Sequence, residues 1–144
     1  MFHPGGNLGK RLLLKVEEFA ITGPQIPKIG LSASLKDAIL EISAKRLGAT
    51  CVMNDDGTLA GIITDGDLRR LLQKTTDVTG LSAEQAMTKN PKTIRKGTLA
   101  SAALQEMETY SITQLVVLDN EKRPVGIVHL HDLVRAGLGG DSSA

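Results

Sequence analysis

The sequence predicts an α/β protein made of two pseudo-symmetric β-α-β-β-α units that share one hydrophobic core. The main observation is an internal repeat, because the segment GIITDGDL at 61–68 recurs as GIVHLHDL at 126–133. A Leu-x-x-Ala pattern at 35–38 likewise recurs at 99–102. Two adjacent copies of one supersecondary unit bury their apolar faces against each other. The cleft that remains between two such copies is where we expect a ligand to bind.

Composition limits the classes of protein that the chain can belong to. Its 144 residues are enough for one compact domain, and 41% of them are hydrophobic. Only 2% are aromatic, so the core must consist of Leu, Ile, Val and Ala. The 17 basic and 16 acidic residues are well mixed, which argues against a nucleic-acid binder with a basic stripe.

The single cysteine and the hydropathy pattern indicate the environment of the chain. Cys51 lies in an apolar run and has no second cysteine for a disulfide or a zinc site, so we expect a buried side chain. No apolar run reaches the length of a membrane span, and no secretory signal opens the sequence. The sequence therefore predicts a soluble, cytoplasmic protein that binds neither membranes nor nucleic acid.

The first unit is predicted to begin after Gly23, Pro24 and Pro27, which break the chain. Apolar residues with helical spacing then predict a helix, capped by Ser32 or Ser34; they are Leu35, Ala38, Ile39 and Ile42. The runs at 50–53 and 59–63 predict two strands joined by an Asp-Asp-Gly turn, and 65–72 predicts a second helix.

The second unit repeats this order. A helix through Leu99, Ala103 and Met107 precedes strands at 115–118 and 125–128, and a last helix begins near His131. A short helix at 82–87 lies in the connection between the units. The predicted division is a tail and linker at 1–26, the two units at 27–80 and 81–137, and a flexible C-terminus at 138–144.

The end of the second strand of the first unit carries the candidate binding residues. A helix begins where that strand ends at Thr64, so free backbone N–H groups can bind an anion such as phosphate. The Thr64 hydroxyl can donate to a phosphate oxygen, and the Asp67 carboxylate can accept from ribose hydroxyls. Gly61 permits close approach of a ligand to the backbone. Ile62 and Asp65 complete the candidate set.

The same residues have a second interpretation. Thr64 and Asp67 have the spacing of a helix capping box, in which each side chain bonds the backbone of the other residue. Spacing alone does not separate a cap from a ligand site, and one structure can contain both.

The second unit departs from the first at one position. Gly126 and Asp132 are retained, but His129 stands where Thr64 stands in the first unit. A neutral imidazole can still hydrogen-bond a phosphate, and it gains charge near its ordinary pKa. His131 lies two residues further on, but no third metal ligand follows, so no metal site is predicted. Candidate cations for an anionic ligand are Lys28, Arg69, Arg70 and Lys92.

These features together resemble a pair of CBS domains over residues 27–137. The motif of that family is Gly, two or three apolar residues, Ser or Thr, two residues and Asp, and residues 61–67 match it fully. Met87, Thr88 and Pro91 at the entry to the second unit also fit the family. The resemblance implies a regulatory module that binds an AMP-like nucleotide and self-associates to a dimer or higher assembly. The departure at His129 places the second pocket in doubt.

The ends of the chain resemble a narrower family. The segment FHPGGNLGKRLL at 2–13 is similar to the end of the sugar isomerase (SIS) domain of arabinose-5-phosphate isomerases, in which a CBS pair follows. The segments TDGDLRR at 64–70 and HLHDLVRAG at 129–137 are also typical of that family. The resemblance implies a parent enzyme that interconverts ribulose 5-phosphate and arabinose 5-phosphate, supplying the Kdo of lipopolysaccharide.

This second resemblance also sets the expected function of the chain. His3 matches a family active-site histidine, but we expect the catalytic SIS domain to lie upstream and the chain alone to be inactive. The implied effector is a nucleotide sugar such as CMP-Kdo or an AMP-like nucleotide, with no required cofactor. The alternative is a structural oligomerisation module that binds no ligand.

Overall fold

The computed structural model describes residues 13–138, so the predictions for His3 and the N-terminal isomerase-like segment up to residue 12 lie outside it. The first unit contains β1 (Lys28–Gly30), α1 (Leu35–Lys45), β2 (Ala49–Met53), β3 (Leu59–Thr64) and α2 (Asp65–Lys74). The connection contains α3 (Ala83–Ala86) and β4 (Thr88–Lys89). The second unit contains β5 (Thr93–Arg95), α4 (Ala100–Tyr110), β6 (Gln114–Leu118), β7 (Pro124–His129) and α5 (Leu130–Arg135). Two 3-10 turns, Val16–Glu18 and Gly23–Gln25, precede β1. The predicted α/β order is confirmed.

The boundaries of α1 follow from its sequence. The Ser34 side chain accepts from the Asp37 amide at 3.1 Å, which caps the first turn and places a carboxylate near the positive end of the helix. Leu35, Ala38 and Ile42 are buried, whereas Ile39 is exposed at 39%, so the buried face is narrower than predicted. The helix ends at Arg46, which adopts the left-handed conformation with φ 62°.

The strands form two sheets with the same local topology. In the four-stranded sheet the order is β1-β2-β3-β4, with β1 parallel to β2 and the other pairs antiparallel. In the three-stranded sheet β5 is parallel to β6 and β6 is antiparallel to β7. The β2–β3 pairing joins Ala49 to Thr64, and the β6–β7 pairing joins Gln114 to His129. Each hairpin therefore brings the start of one strand beside the start of the following helix.

The core has three parts. The helices of each unit cover one face of their own sheet, around Leu35 and Ile63 in the first unit and around Met107 and Leu115 in the second. Between the sheets lies a third cluster that draws on both units, namely Ile26, Ala49, Cys51, Ile62, Val116 and Ile127. Cys51 is fully buried there, and burial raises the pKa of its thiol to about 12, as expected for an unreactive side chain.

The two units exchange the segments that precede them in the chain. The segment before the first unit packs on the second unit, and the segment before the second unit packs on the first. Val16 is buried among residues of the second unit, and its amide donates to the Thr98 carbonyl at 2.8 Å. Ile21 pairs with Ile127 at the edge of β7. In the same way Ala83 is buried in the first unit, where β4 extends the sheet beside β3. The predicted boundaries at residues 26 and 80 follow chain order, but the packing crosses both of them.

The glycines of the repeated motif lie where these segments cross. A Cβ placed on Gly61 would lie 2.5 Å from the Met87 Sδ and 2.6 Å from the Thr88 carbonyl oxygen. A Cβ on Gly126 would lie 2.8 Å from the Ala20 Cβ. Both positions therefore require glycine because another segment of the same chain packs directly against them.

Candidate functional site

A cleft of about 690 Å³ lies between the two units, at the N-terminal ends of α2 and α5. Its walls come from equivalent parts of the two copies: the loops that follow α1 and α4, and the strand ends that precede α2 and α5. The antiparallel hairpins explain this arrangement, because they place each of these loops beside the helix start of the same unit. Ile21 of the N-terminal segment also lines the cleft.

Hydrogen bonds hold the two halves of the cleft in place. The Asp65 amide donates to the Gly48 carbonyl at 2.9 Å, and the Leu130 amide donates to the Thr113 carbonyl at 2.8 Å in the equivalent position. The Gln114 Nε2 then crosses to the first unit and donates to the Leu47 carbonyl at 3.0 Å. Hydrogen bonds within each unit and one bond between the units therefore fix the backbone that lines the cleft.

Thr64 and Asp67 form the capping box that their spacing allows. The Thr64 Oγ1 accepts from the Asp67 amide at 3.1 Å, and the Asp67 Oδ2 accepts from the Thr64 amide at 2.9 Å. Asp67 also accepts from the Arg70 guanidinium at 2.6 Å and from the Thr88 hydroxyl at 3.2 Å. Thr64 lines the cleft and still has its own O–H to donate, so the cap does not exclude a ligand contact.

The cleft is rich in cations. Four arginines line it, Arg46, Arg69, Arg70 and Arg135, against the two carboxylates of Asp65 and Asp132. Arg70 pairs with Asp67 at 2.6 Å and Arg135 lies 3.7 Å from Asp132, but both arginine side chains are mostly exposed. Exposed ion pairs contribute about 0–1 kcal/mol, so a ligand anion can compete for these guanidinium groups. The arrangement suits an anionic ligand.

His129 takes the place of Thr64 as the residue that caps α5. Its Nδ1 accepts from the His131 amide at 3.0 Å, so a neutral ring carries its proton on Nε2. The two imidazoles stack with centroids 4.7 Å apart. Burial lowers the pKa of His129, the charge of His131 lowers it further, and Asp132 opposes both effects. The lowered pKa thus favours the neutral His129 ring near pH 7, with one N–H to donate.

This lowered pKa predicts a pH dependence of stability. As pH falls below about 6.5, the unfolded chain protonates at His129 before the folded chain does, so the free energy of unfolding decreases. Protonation of Nδ1 would also remove the cap. We expect urea unfolding between pH 7.5 and 5 to show a smaller decrease for His129→Asn, which retains a capping side chain. Equal pH dependence of wild type and variant would contradict this assignment.

The carboxylates do not obscure this effect, because their pH window is different. Hydrogen bonds from Thr58, Thr79 and the Arg123 amide lower the pKa values of Asp56, Asp77 and Asp119 respectively. The stability that those groups contribute is present above an ordinary carboxyl pKa of about 4 and is lost only below it.

The structure brings together some of the predicted binding residues and separates others. Thr64, Asp65, His129 and Asp132 all line the cleft, and so do the predicted cations Arg69 and Arg70. Gly61, Ile62, Gly126 and Asp67 do not line it. Ile62 is buried between the sheets, and the two glycines pack against the crossing segments. The ligand roles of all eight residues stay predictions.

The other two predicted cations lie elsewhere. Lys92 is placed over the ring of Tyr110, 4.1 Å from its centroid, and neither Lys92 nor Lys28 lines the cleft. Among residues 13–138 no group of three or more metal-binding side chains occurs.

Sequence reasoning missed several residues of the cleft, chiefly Arg46, Gly48, Gln114 and Arg135. A signal for Gly48 existed, because antiparallel pairing of the two predicted strands places the residue before β2 beside the residue after β3. Gly48 has φ 72°, and a Cβ there would lie 3.0 Å from the Gln114 Nε2. Gln114 bonds the Leu47 carbonyl of the other unit, and Arg135 lies near Asp132 on α5. The sequence around these two residues contains no pattern that predicts a place in the cleft.

The model of the CBS domain family matches residues 16–74 and 83–139. The chain belongs to the CBS domain family and contains a pair of these domains. The matched regions begin at Val16, the residue that the structure buries in the second unit.

The curated relatives of this chain include arabinose 5-phosphate isomerases. KdsD of Pseudomonas aeruginosa is 49% identical over 136 residues, which cover 94% of this chain and 42% of that protein. KdsD of Escherichia coli K12 is 44% identical over 94% of this chain and 41% of that protein. The chain thus spans about two fifths of the length of these relatives.

Solved structures match the fold. CBSX2 in complex with AMP has a TM-score of 0.72 and 25% identity, covering 88% of this chain and 98% of that one. The CBS domain pair of a second protein, in complex with 5-methylthioadenosine and S-adenosyl-L-methionine, has a TM-score of 0.76 and 25% identity, covering 90% and 98%. A CBS domain protein from Pyrobaculum aerophilum, complexed with AMP, has a TM-score of 0.78 at 19% identity, covering 91% and 100%.

Proposed function

We propose that this CBS pair is a regulatory module that binds a nucleotide or nucleotide sugar for an arabinose 5-phosphate isomerase. The observation that carries the proposal is the cleft between the units, which combines four arginines with the Thr64 hydroxyl and the His129 imidazole. Guanidinium groups and oriented N–H and O–H donors are suited to phosphate. The relatives named KdsD supply the enzyme class, and solved CBS pairs in complex with AMP supply the ligand class.

The finer parts of the proposal concern the pathway and the effector. We place isomerisation of ribulose 5-phosphate and arabinose 5-phosphate in the part of the relatives that this chain does not span. The product of that reaction leads to Kdo and lipopolysaccharide, so CMP-Kdo is the proposed end-product effector and an AMP-like nucleotide is the second candidate. Either ligand offers a phosphate to the arginines of the cleft.

A second candidate function is oligomerisation without a ligand. Two observations favour it: Asp67 accepts three hydrogen bonds from within the fold, and apolar side chains are exposed on α1 and α2, with Leu40 and Leu72 each at 57%. Self-association of the chain to a dimer is compatible with both candidates.

No helix within residues 13–138 has the length and apolar character needed to span a membrane.

A thermal-shift panel of nucleotides and nucleotide sugars separates the two functions. A ligand that binds only the folded state stabilises it by about 2.7 kcal/mol at a hundred times its Kd. AMP, CMP and CMP-Kdo form the core of the panel, with adenosine and cytidine as uncharged controls. A concentration-dependent rise with a nucleotide supports the regulatory module. No rise with any member, together with a dimer in sedimentation, supports the oligomerisation module.

Substitution of the capping box tests the site itself. Thr64→Val and Asp67→Ala should each lower stability by about 1 kcal/mol through loss of the cap and should also weaken nucleotide binding in calorimetry. Ser82→Ala is the matched control, because Ser82 forms an equivalent capping box with Gln85 at the start of α3, away from the cleft. If Thr64→Val and Asp67→Ala behave like Ser82→Ala and bind with unchanged affinity, these residues act only as a cap.

A further inference from the structure

The charge of the cleft is distributed unequally between the two units. The first unit contributes Arg46, Arg69 and Arg70, whereas the second contributes Arg135. Arg46 follows α1 and its counterpart after α4 is Ser111; both residues end their helices in the left-handed conformation. The counterpart of Arg69 is Val134, so two cations of the cleft, Arg46 and Arg69, belong to the first unit alone.

Partners within the fold account for two of the four arginines. Arg70 pairs with Asp67, and Arg135 lies near Asp132. Among the ion pairs formed by residues 13–138, neither Arg46 nor Arg69 takes part in one. Of the four arginines that line the cleft, the two that form no ion pair within residues 13–138 thus both belong to the first unit.

The backbone conformation at Arg46 favours glycine over arginine. Its φ of 62° is a conformation in which glycine is favoured, and a side chain there is strained. The capping contact at this position is the bond from the Arg46 amide to the Ile42 carbonyl at 3.0 Å, which glycine would make equally well. What arginine adds to glycine at this position is a long cationic side chain beside the cleft.

We infer that Arg46, together with Arg69, binds the phosphate of the ligand and so fixes which unit the anionic end of the ligand faces. This inference rests on the proposed nucleotide-binding function and names the residues that would set its specificity for phosphate. The phosphate lies on the side of the first unit, near the Thr64 hydroxyl, and the remainder of the ligand extends toward His129 and Arg135.

The test compares a nucleotide with its nucleoside in the full chain. We measure AMP and adenosine binding by calorimetry for the wild type, Arg46→Gly, Arg69→Gln, Arg135→Gln and Lys122→Gly. Lys122 is the matched control, because it is also left-handed with φ 63° but does not line the cleft. Arg46→Gly should weaken AMP binding about tenfold while adenosine affinity is unchanged, since a charge-assisted hydrogen bond is lost. Its thermal midpoint should equal or exceed that of the wild type.

Three further results are expected from the other variants. Lys122→Gly should bind AMP as the wild type does, and Arg69→Gln should lose affinity for AMP but not for adenosine. Arg135→Gln should lose less affinity for AMP than Arg46→Gly does. A larger loss in Arg135→Gln, or equal loss of AMP and adenosine in Arg46→Gly, overturns the inference. Equal affinity of the wild type for AMP and adenosine also overturns it but leaves nucleotide binding intact. No binding of either compound removes AMP as the ligand and the inference with it.

Discussion

Val16→Asp should destabilise the protein by about 3–5 kcal/mol or prevent its folding, because it places an unpaired charge in the core of the second unit. Val16 is 0% exposed, although in the sequence it lies more than ten residues before the first predicted unit. Total stabilities of about 5–15 kcal/mol make such a loss decisive. Urea unfolding monitored by circular dichroism measures it.

A matched control lies three residues earlier. Leu13 is 71% exposed, so Leu13→Asp should change stability by less than about 0.5 kcal/mol. If Val16→Asp were as mild as Leu13→Asp, the N-terminal segment would not be part of the second unit.

The second large effect is expected at Gly61, where the connecting segment crosses the first unit. Gly61→Val should cost about 3 kcal/mol, because even its Cβ would meet the backbone oxygen of Thr88 at 2.6 Å. The flexible Met87 side chain can move aside, but the backbone of β4 cannot do so without losing its pairing with β3. Thermal unfolding of the variant measures the loss.

Gly80→Val is the control for this substitution. Gly80 lies in the same connection but has open space where a Cβ would be placed. A small effect at Gly80 with a large effect at Gly61 assigns the cost to the crossing. Similar small effects at both positions would mean that β4 does not pack on β3 in solution.

The parts of the fold that depend on local pattern were predictable from the sequence. The hairpin β2–β3 is specified by two apolar runs around an Asp-Asp-Gly turn, and Ser34 marks the start of α1. The repeat of 61–68 at 126–133 then gave the second unit and the cleft between the two. Each of these signals lies within a short stretch of chain.

The exchange of segments between the units was not predictable in the same way. Val16 packs in a cluster whose second-unit residues begin at Ile94, and nothing in the sequence near Val16 distinguishes that core from the adjacent first unit. The sequence predicts that a ligand approaches the glycines of the motif, because a glycine shows that space is needed but not what fills it. In the structure Met87 and Thr88 lie over Gly61.

Only those residues of the candidate site that belong to a local sequence pattern could be predicted. Thr64 and His129 were found because strand ends that precede helices have a recognisable pattern. Arg46 was missed because a left-handed residue is usually signalled by glycine or asparagine, and an arginine gives no such signal. The structure shows the capping box at Thr64 and Asp67, which spacing alone did not separate from a ligand site, and Thr64 also lines the cleft.

The central claim, that a nucleotide binds in the cleft between the units, is tested most directly by NMR chemical-shift mapping on the full chain. Titration with AMP, CMP and CMP-Kdo should shift amide resonances on both sides of the cleft, at 46–48 and 64–70 in the first unit and at 111–114 and 129–135 in the second. Amides of the hairpin turns at 54–58 and 119–123 should remain unchanged. Shifts confined to residues outside the cleft, or no shifts at millimolar concentrations of all three compounds, would contradict the account.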